Sequence, residues 1–188
     1  MGLNIISKGV ALNVETPILQ TNRLVLRPLK LNDAEHVFKS WTSDPDVVKY
    51  MQWDLHENLW DTEEWLASEE DSIDNDENYN WGFVLKETNS LIGSGGFQFD
   101  RERNMHEIGY VIMKKYWGQG IASEAVEKII SFAKNTLGIK RMYGKHAKDN
   151  PASGRILQKH GFVFKKEKYY PKLSGISGFM CKEWILRL

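Results

Sequence analysis

The sequence holds one cysteine, Cys181, in 188 residues, so an internal disulfide is excluded and a reducing compartment fits. It has no surplus of either charge. Its 25 Lys plus Arg equal its 25 Asp plus Glu, which removes the global field that draws nucleic acid or an anionic membrane. No apolar run approaches the roughly 20 residues that cross a bilayer. Residues 1–14 lack the basic-then-apolar layout of a secretion signal, and a cytoplasmic location is the expectation. There is no internal repeat, low-complexity tract or Pro/Gly/Ser linker. The length suits one domain with a substantial core and is too short for two. Residues 1–188 are therefore expected to form a single domain, with residues 1–17, which match no periodicity, as a loosely held arm.

What is present centres on residues 107–136. Ile108-Gly109-Tyr110-Val111-Ile112-Met113 is short, apolar and β-branched, and reads as a strand. From Ile121 the apolar residues Ala122, Ala125, Val126, Ile129, Ile130 and Ala133 recur at helical spacing. Between them lies Tyr116-Trp117-Gly118-Gln119-Gly120, a turn with two glycines that expose amides at a helix start. Free amides at the positive end of a helix dipole make a pocket for anionic oxygen, most often phosphate. A plain tight connection is the alternative. The pattern then repeats: a strand at residues 139–146 leads to Asn150-Pro151-Ala152-Ser153, with Asn150 as N-cap and Pro151 as first helical residue. The second helix runs to His160, and Gly161 ends it.

Elsewhere, residues 24–29 alternate as a strand, Asp33 is predicted to cap a helix through Ser40 or Trp41, and Asp44-Pro45 starts a short helical turn. Thr62 is predicted to cap a helix that continues through Glu63-Glu64-Trp65-Leu66. Residues 81–86, 91–99 and 105–113 read as an antiparallel meander, and residues from 162 and 179–188 as the last strands. The class is mixed α/β.

Three segments resemble the GNAT superfamily of acyl-CoA-dependent N-acetyltransferases. They are Tyr116-Trp117-Gly118-Gln119-Gly120-Ile121-Ala122-Ser123-Glu124-Ala125, Asn150-Pro151-Ala152-Ser153 with Lys159-His160-Gly161-Phe162, and Leu19-Gln20-Thr21-Asn22-Arg23-Leu24-Val25-Leu26-Arg27-Pro28-Leu29 with Asp33-Ala34. The last is similar to the opening of the branch that includes ribosomal-protein N-terminal acetyltransferases. The resemblance implies a central mixed sheet of about six to seven strands with helices on both faces. A splayed strand pair would form the acyl-CoA cleft. It departs from the family pattern at Trp117, where Gln or Arg is usual, and at Leu157, where many members carry a tyrosine proposed as acid.

The implied activity is transfer of acetyl from acetyl-CoA to a primary amine in a ternary complex, without metal. Such transfer needs a base for the amine, a donor for the developing oxyanion and protonation of the thiolate. Glu107 is the candidate base, with a strand carboxylate paired to Lys or Arg as the alternative. Ser153 is the residue that the ribosomal branch suggests as acid, with Tyr169 and Tyr170 behind it. Cofactor contacts fall on Val111, Ile112, Met113, Gly118, Gln119, Gly120, Ile121, Ala122, Asn150 and Ser153, a backbone amide of Val111 or Ile112 holding the thioester carbonyl. Lys114, Lys115, Lys145 and Lys148 could meet CoA phosphates. The acceptor is a peptide N-terminus, a polyamine or an aminoglycoside-like amine. Trp41, Trp53, Trp60, Trp65 and Trp81 either wall its pocket or fill the core. The acidic interval Glu63 to Glu77 either attracts it or forms a solvated face. His106, His146 and His160 lack metal-ligand spacing. A homodimer is compatible with the sequence. The rival reading is a non-catalytic acyl-CoA-binding sensor or partner-binding module.

Overall fold

The computed structural model describes residues 15–73, 75 and 77–188; residues 1–14 of the expected arm, and Asp74 and Asp76 of the acidic interval, lie outside the described residues. Residues 16 and 17 are tied down rather than loose. The Thr16 amide donates to the Ile73 carbonyl at 3.2 Å, and the Trp81 indole donates to the Pro17 carbonyl at 2.6 Å.

One sheet carries eight strands: β1 Leu19–Gln20, β2 Leu24–Arg27, β3 Asn78–Leu85, β4 Ser90–Asp100, β5 Met105–Ile112, β6 Arg141–Ala147, β7 Val163–Pro171 and β8 Gly178–Arg187. Their order is β1-β2-β3-β4-β5-β6-β8-β7. The sequence suggests six to seven. The additional strand is β1, two residues too short to show a period-two pattern. The helices are α1 Ala34–Val37, α2 Pro45–Val48, α3 Leu59–Asp71, α4 Ile121–Asn135 and α5 Pro151–Lys159. Among the described residues no helix is long and apolar enough to cross a membrane.

Strand alternation divides the core between two faces. Phe83, Leu85, Ile92 and Ile112 join one cluster with α4, whereas Val84, Leu91 and Val111 join another with Val37, Trp41 and Leu66. Helices thus cover both faces. On α4 the buried stripe includes Ile121, Val126, Ile129 and Phe132, each contributing roughly 1.5–3 kcal/mol of apolar burial. Trp41 and Trp81 are fully buried core residues, and Trp60 is exposed.

Two helix starts differ from the sequence reading. The first helical stretch opens with a 3-10 turn at Leu31–Asp33, so Asp33 occupies the N-cap position of α1 but with helical backbone and no side-chain bond to the amides of α1. The Asp33 carboxylate accepts from the Lys30 amide at 2.9 Å and from both Arg27 nitrogens at 2.8 Å. The stretch then passes through α1 into a π-helical turn ending at Thr42. α3 begins with Asn58 as its cap, in a box with Asp61, and not at Thr62. Thr62 is buried, its hydroxyl 2.9 Å from that of Thr42 and 2.7 Å from Nδ1 of His56. A hydroxyl committed to tertiary partners cannot cap its own helix.

The consequential feature is where β5 meets β6. They are parallel and pair only at His106↔Met142, Glu107↔Tyr143 and Ile108↔Gly144. β5 keeps β4 as its partner to Ile112, and β6 keeps β8 to Ala147, so each follows its outer neighbour and the two separate.

Candidate functional site

At the far end of β5 a 3-10 turn, Lys114–Tyr116, delivers the chain to the glycine turn and α4. Gly118 and Gly120 have φ of +74° and +75°, the left-handed region that a Cβ disfavours. Among the described residues, no acceptor engages the amides of Gly118, Gln119, Gly120, Ile121, Ala122 or Ser123. Side chains, not those amides, hold the turn in shape. Glu124, in the first turn of α4, accepts from the Thr21 hydroxyl at 2.5 Å, the Arg23 amide at 2.8 Å and the Arg23 Nε at 2.7 Å. Arg23 also donates to the Gln119 carbonyl at 2.9 Å. The Trp117 indole folds back to the Ile112 carbonyl at 2.7 Å. Six free amides, three in the turn and three in the first turn of a 15-residue helix, make a cradle of donors suited to an anion such as a phosphate.

The open edge of β5 leads from that cradle to the strand junction. The Met113 amide donates to the Ile92 carbonyl at 2.9 Å, so the alternation of an antiparallel ladder also turns Val111 and Gly109 toward β4. The Val111 amide is thereby turned toward β4 and that of Met113 is committed to Ile92. Tyr110 and Ile112 face the splay, and with the Ile112 carbonyl occupied by Trp117, the Tyr110 and Ile112 amides are the backbone donors left there. Across the splay, Asn150 caps α5 by accepting from the Ser153 amide at 3.3 Å. The Ser153 hydroxyl lies 2.9 Å from that of Tyr110, whose phenol burial pushes up to about 12.

The opposite face of the junction is an open cleft of about 420 Å³ bordered by Gln52, Arg103, Glu107, Lys145, Tyr169 and Tyr170. Glu107 stands in it, its carboxylate accepting from the Lys145 ammonium, so the pairing that would make it an ordinary strand carboxylate is present at the same place as the cleft. Neighbouring Tyr169 and Tyr170 divide by strand alternation: Tyr169 is 54% exposed, whereas Tyr170 is buried in a polar network. Tyr170 donates to Glu183 and accepts from Arg103 at 2.6 Å. Its one proton being committed, the Tyr143 hydroxyl 2.8 Å away is the donor toward it. Burial, then the bond to Glu183, pushes the Tyr170 phenol up to about 12. Cys181, distant in sequence from the motifs, lies in the electrostatic field of Lys145, Glu107 and Glu183, and burial pushes its thiol up to about 11. It is therefore a thiol and a weak nucleophile near neutral pH.

The structure thus places Ile112, Ser153 and the 118–122 turn around the splay, and Glu107 in the last paired stretch of β5, in the cleft on the opposite face, with Tyr169 on the rim of that cleft. Lys114 pairs with Asp46 and Lys148 with Glu167, both largely exposed. The three histidines go to separate places: His106 against Phe97 and Phe99, His146 on Trp184, and His160 2.9 Å from the Ser123 hydroxyl. Lys145, read from the sequence as a candidate CoA-phosphate contact, is instead the partner of Glu107, and Tyr110 and the Arg103–Glu183 network escape sequence reading. Only the strand position of Tyr110 next to Gly109 offers any signal, since their partners lie far along the chain.

A family model described as an acetyltransferase (GNAT) domain matches residues 23–163. The uncharacterized N-acetyltransferase p20 of Bacillus licheniformis is 33% identical over 168 residues, 86% of this chain and 93% of its own. The fold is similar to that of a GNAT-family acetyltransferase from Bacillus anthracis, with a TM-score of 0.77 and 24% identity, covering 91% of this chain and 98% of that one. It is also similar to RimL, a ribosomal L7/L12 alpha-N-protein acetyltransferase in complex with coenzyme A. There the TM-score is 0.77 and the identity 16%, over 93% and 98% of the two chains. The splay, the cradle and these matches agree: the chain belongs to the GNAT acetyltransferase family and is an acyltransferase.

Proposed function

We propose that the protein transfers an acetyl group from acetyl-CoA directly to a primary amine, both substrates being bound together. The observation that supports this reading is the splay itself, which opens just past the Glu107 position on β5 and is followed along the chain by the free amides of residues 118–123. The amides of Gly118, Gln119, Gly120, Ile121 and Ala122 grip the diphosphate. The pantetheine arm lies along the open edge of β5, and the Ile112 amide donates to the thioester carbonyl. Asn150 fixes the first turn of α5 so that Ser153 faces the sulfur. Glu107 takes the amine proton, directly or through water, as the C–N bond forms and the C–S bond breaks. A thiolate is a tolerable leaving group near neutral pH, given a thiol pKa of about 8.5. The buried, protonated Cys181 supports transfer without a covalent enzyme intermediate.

Initial rates of thiol release with acetyl-CoA and a panel of peptides, polyamines and aminoglycosides test the reading. Release that depends on the amine, with intersecting double-reciprocal lines, is expected. Parallel lines would contradict direct transfer. Glu107→Gln should lower kcat by roughly 10²–10⁴ if the carboxylate is the base. Binding of coenzyme A with no release for any amine would favour the sensor reading instead.

A further inference from the structure

The Tyr110 and Ser153 hydroxyls, 43 residues apart in sequence and 2.9 Å apart in space, belong to opposite walls of the splay. Tyr110 is on the open edge of β5, two residues or roughly 7 Å past Ile108, where pairing with β6 stops. Ser153 is in the first turn of the helix that follows β6. A serine hydroxyl is a free rotor with one proton and two acceptor lone pairs, so by itself it does not choose where its proton points. A phenol held near 12 stays protonated through the neutral range and so has a proton to give in this contact, where either hydroxyl can be the donor. Its donor is within reach of Ser153 Oγ and, at 3.3 Å, of the Ser153 carbonyl. Leu157, the position at which family members carry a tyrosine, is fully buried in the apolar core and offers no hydroxyl.

We propose that Tyr110 is a positioning residue for acyl transfer: its phenol donates to Ser153 Oγ and so turns the Ser153 O–H toward the departing sulfur. The inference rests on the reading that acetyl-CoA lies in the splay. The C–N bond forms as the C–S bond breaks, the electron pair of the latter stays on sulfur, and the amine proton goes to Glu107. Ser153 stabilises the thiolate by a hydrogen bond. Neither hydroxyl loses its proton, and the thiolate takes one from solvent after release.

The test compares Tyr110→Phe, Ser153→Ala and the double variant in kcat, in KM for acetyl-CoA and in calorimetric affinity for coenzyme A. Tyr110→Phe should lower kcat about tenfold, the usual worth of one hydrogen bond to a charged group, with KM and affinity unchanged. The double variant should be no slower than Ser153→Ala alone, because the phenol acts through the serine. The loss should be uniform from pH 6 to 9, where neither hydroxyl titrates. A wild-type kcat in Tyr110→Phe, losses that multiply in the double variant, or a loss confined to one limb of the pH profile would overturn the proposal alone. A wild-type protein that binds no coenzyme A would overturn this proposal together with the reading beneath it.

Discussion

Glu107 and Gly109 project from the same face of β5, and a Cβ built on Gly109 would have no protein atom within 4 Å. The space beside the candidate base is therefore kept open by a residue with no side chain to fill it. Gly109→Ala should leave stability unchanged or raise it by about 0.4–1 kcal/mol, since the unfolded chain loses freedom. Activity should nevertheless fall, and Gly109→Val should lower kcat/KM at least about tenfold, comparable to a lost contact at the reacting atoms. Thermal unfolding beside steady-state kinetics separates the two effects.

A second expectation concerns Glu124, whose three hydrogen bonds join the β1–β2 corner to the start of α4. Glu124→Ala should cost roughly 1–2 kcal/mol, discounted because Arg23 is partly exposed, and should weaken coenzyme A binding. Burial alone would raise this carboxyl. The Thr21 hydroxyl and the Arg23 amide and guanidinium outweigh it and hold the group below its ordinary 4.5. Such a group stabilises fully above its unfolded value and progressively less as pH falls through the folded one. The stability gap between wild type and Glu124→Ala, followed by urea unfolding, should thus narrow below about pH 4.5.

Gly118→Ala and Gly120→Ala test the cradle. Neither Cβ would clash: Gly118 has nothing within 4 Å, and the nearest atom to a Cβ at Gly120 is an Arg23 nitrogen at 3.7 Å. The cost is backbone strain at positive φ, about 1–2 kcal/mol each. Affinity for coenzyme A should fall further than stability does, because the amides lose their aim. Equal affinity in both variants would remove the turn from the binding site.

Tyr169 and Tyr170 offer a contrast between neighbours. Tyr170→Phe removes a hydroxyl on which Arg103, Tyr143 and Glu183 converge, and should cost roughly 2–3 kcal/mol by leaving the buried carboxylate short of a donor. Tyr169→Phe, in a half-exposed side chain whose hydroxyl joins no such network among the described residues, should stay within about 0.5 kcal/mol in a urea titration.

These residues also mark what a sequence discloses. Gly118, Gly120 and the Asn150-Pro151 start are legible because their backbone angles and caps restrict the residue type locally. The meander is legible from its period. Thr62 misleads because a hydroxyl at a helix start can equally serve Thr42 and His56, a choice settled by tertiary packing. Tyr170 rather than Tyr169 enters the polar network because the pairing of β7 with β8 sets which alternate residues turn inward. The bond between Tyr110 and Ser153 depends on how far β5 and β6 diverge, a distance no local pattern encodes.

The most direct measurement is a calorimetric titration of the full chain with coenzyme A and with acetyl-CoA. One site per chain for each ligand, weakened in Gly120→Ala, is the expected result. A folded protein that takes up neither ligand would contradict the assignment of the splay and its amide cradle to a nucleotide thioester.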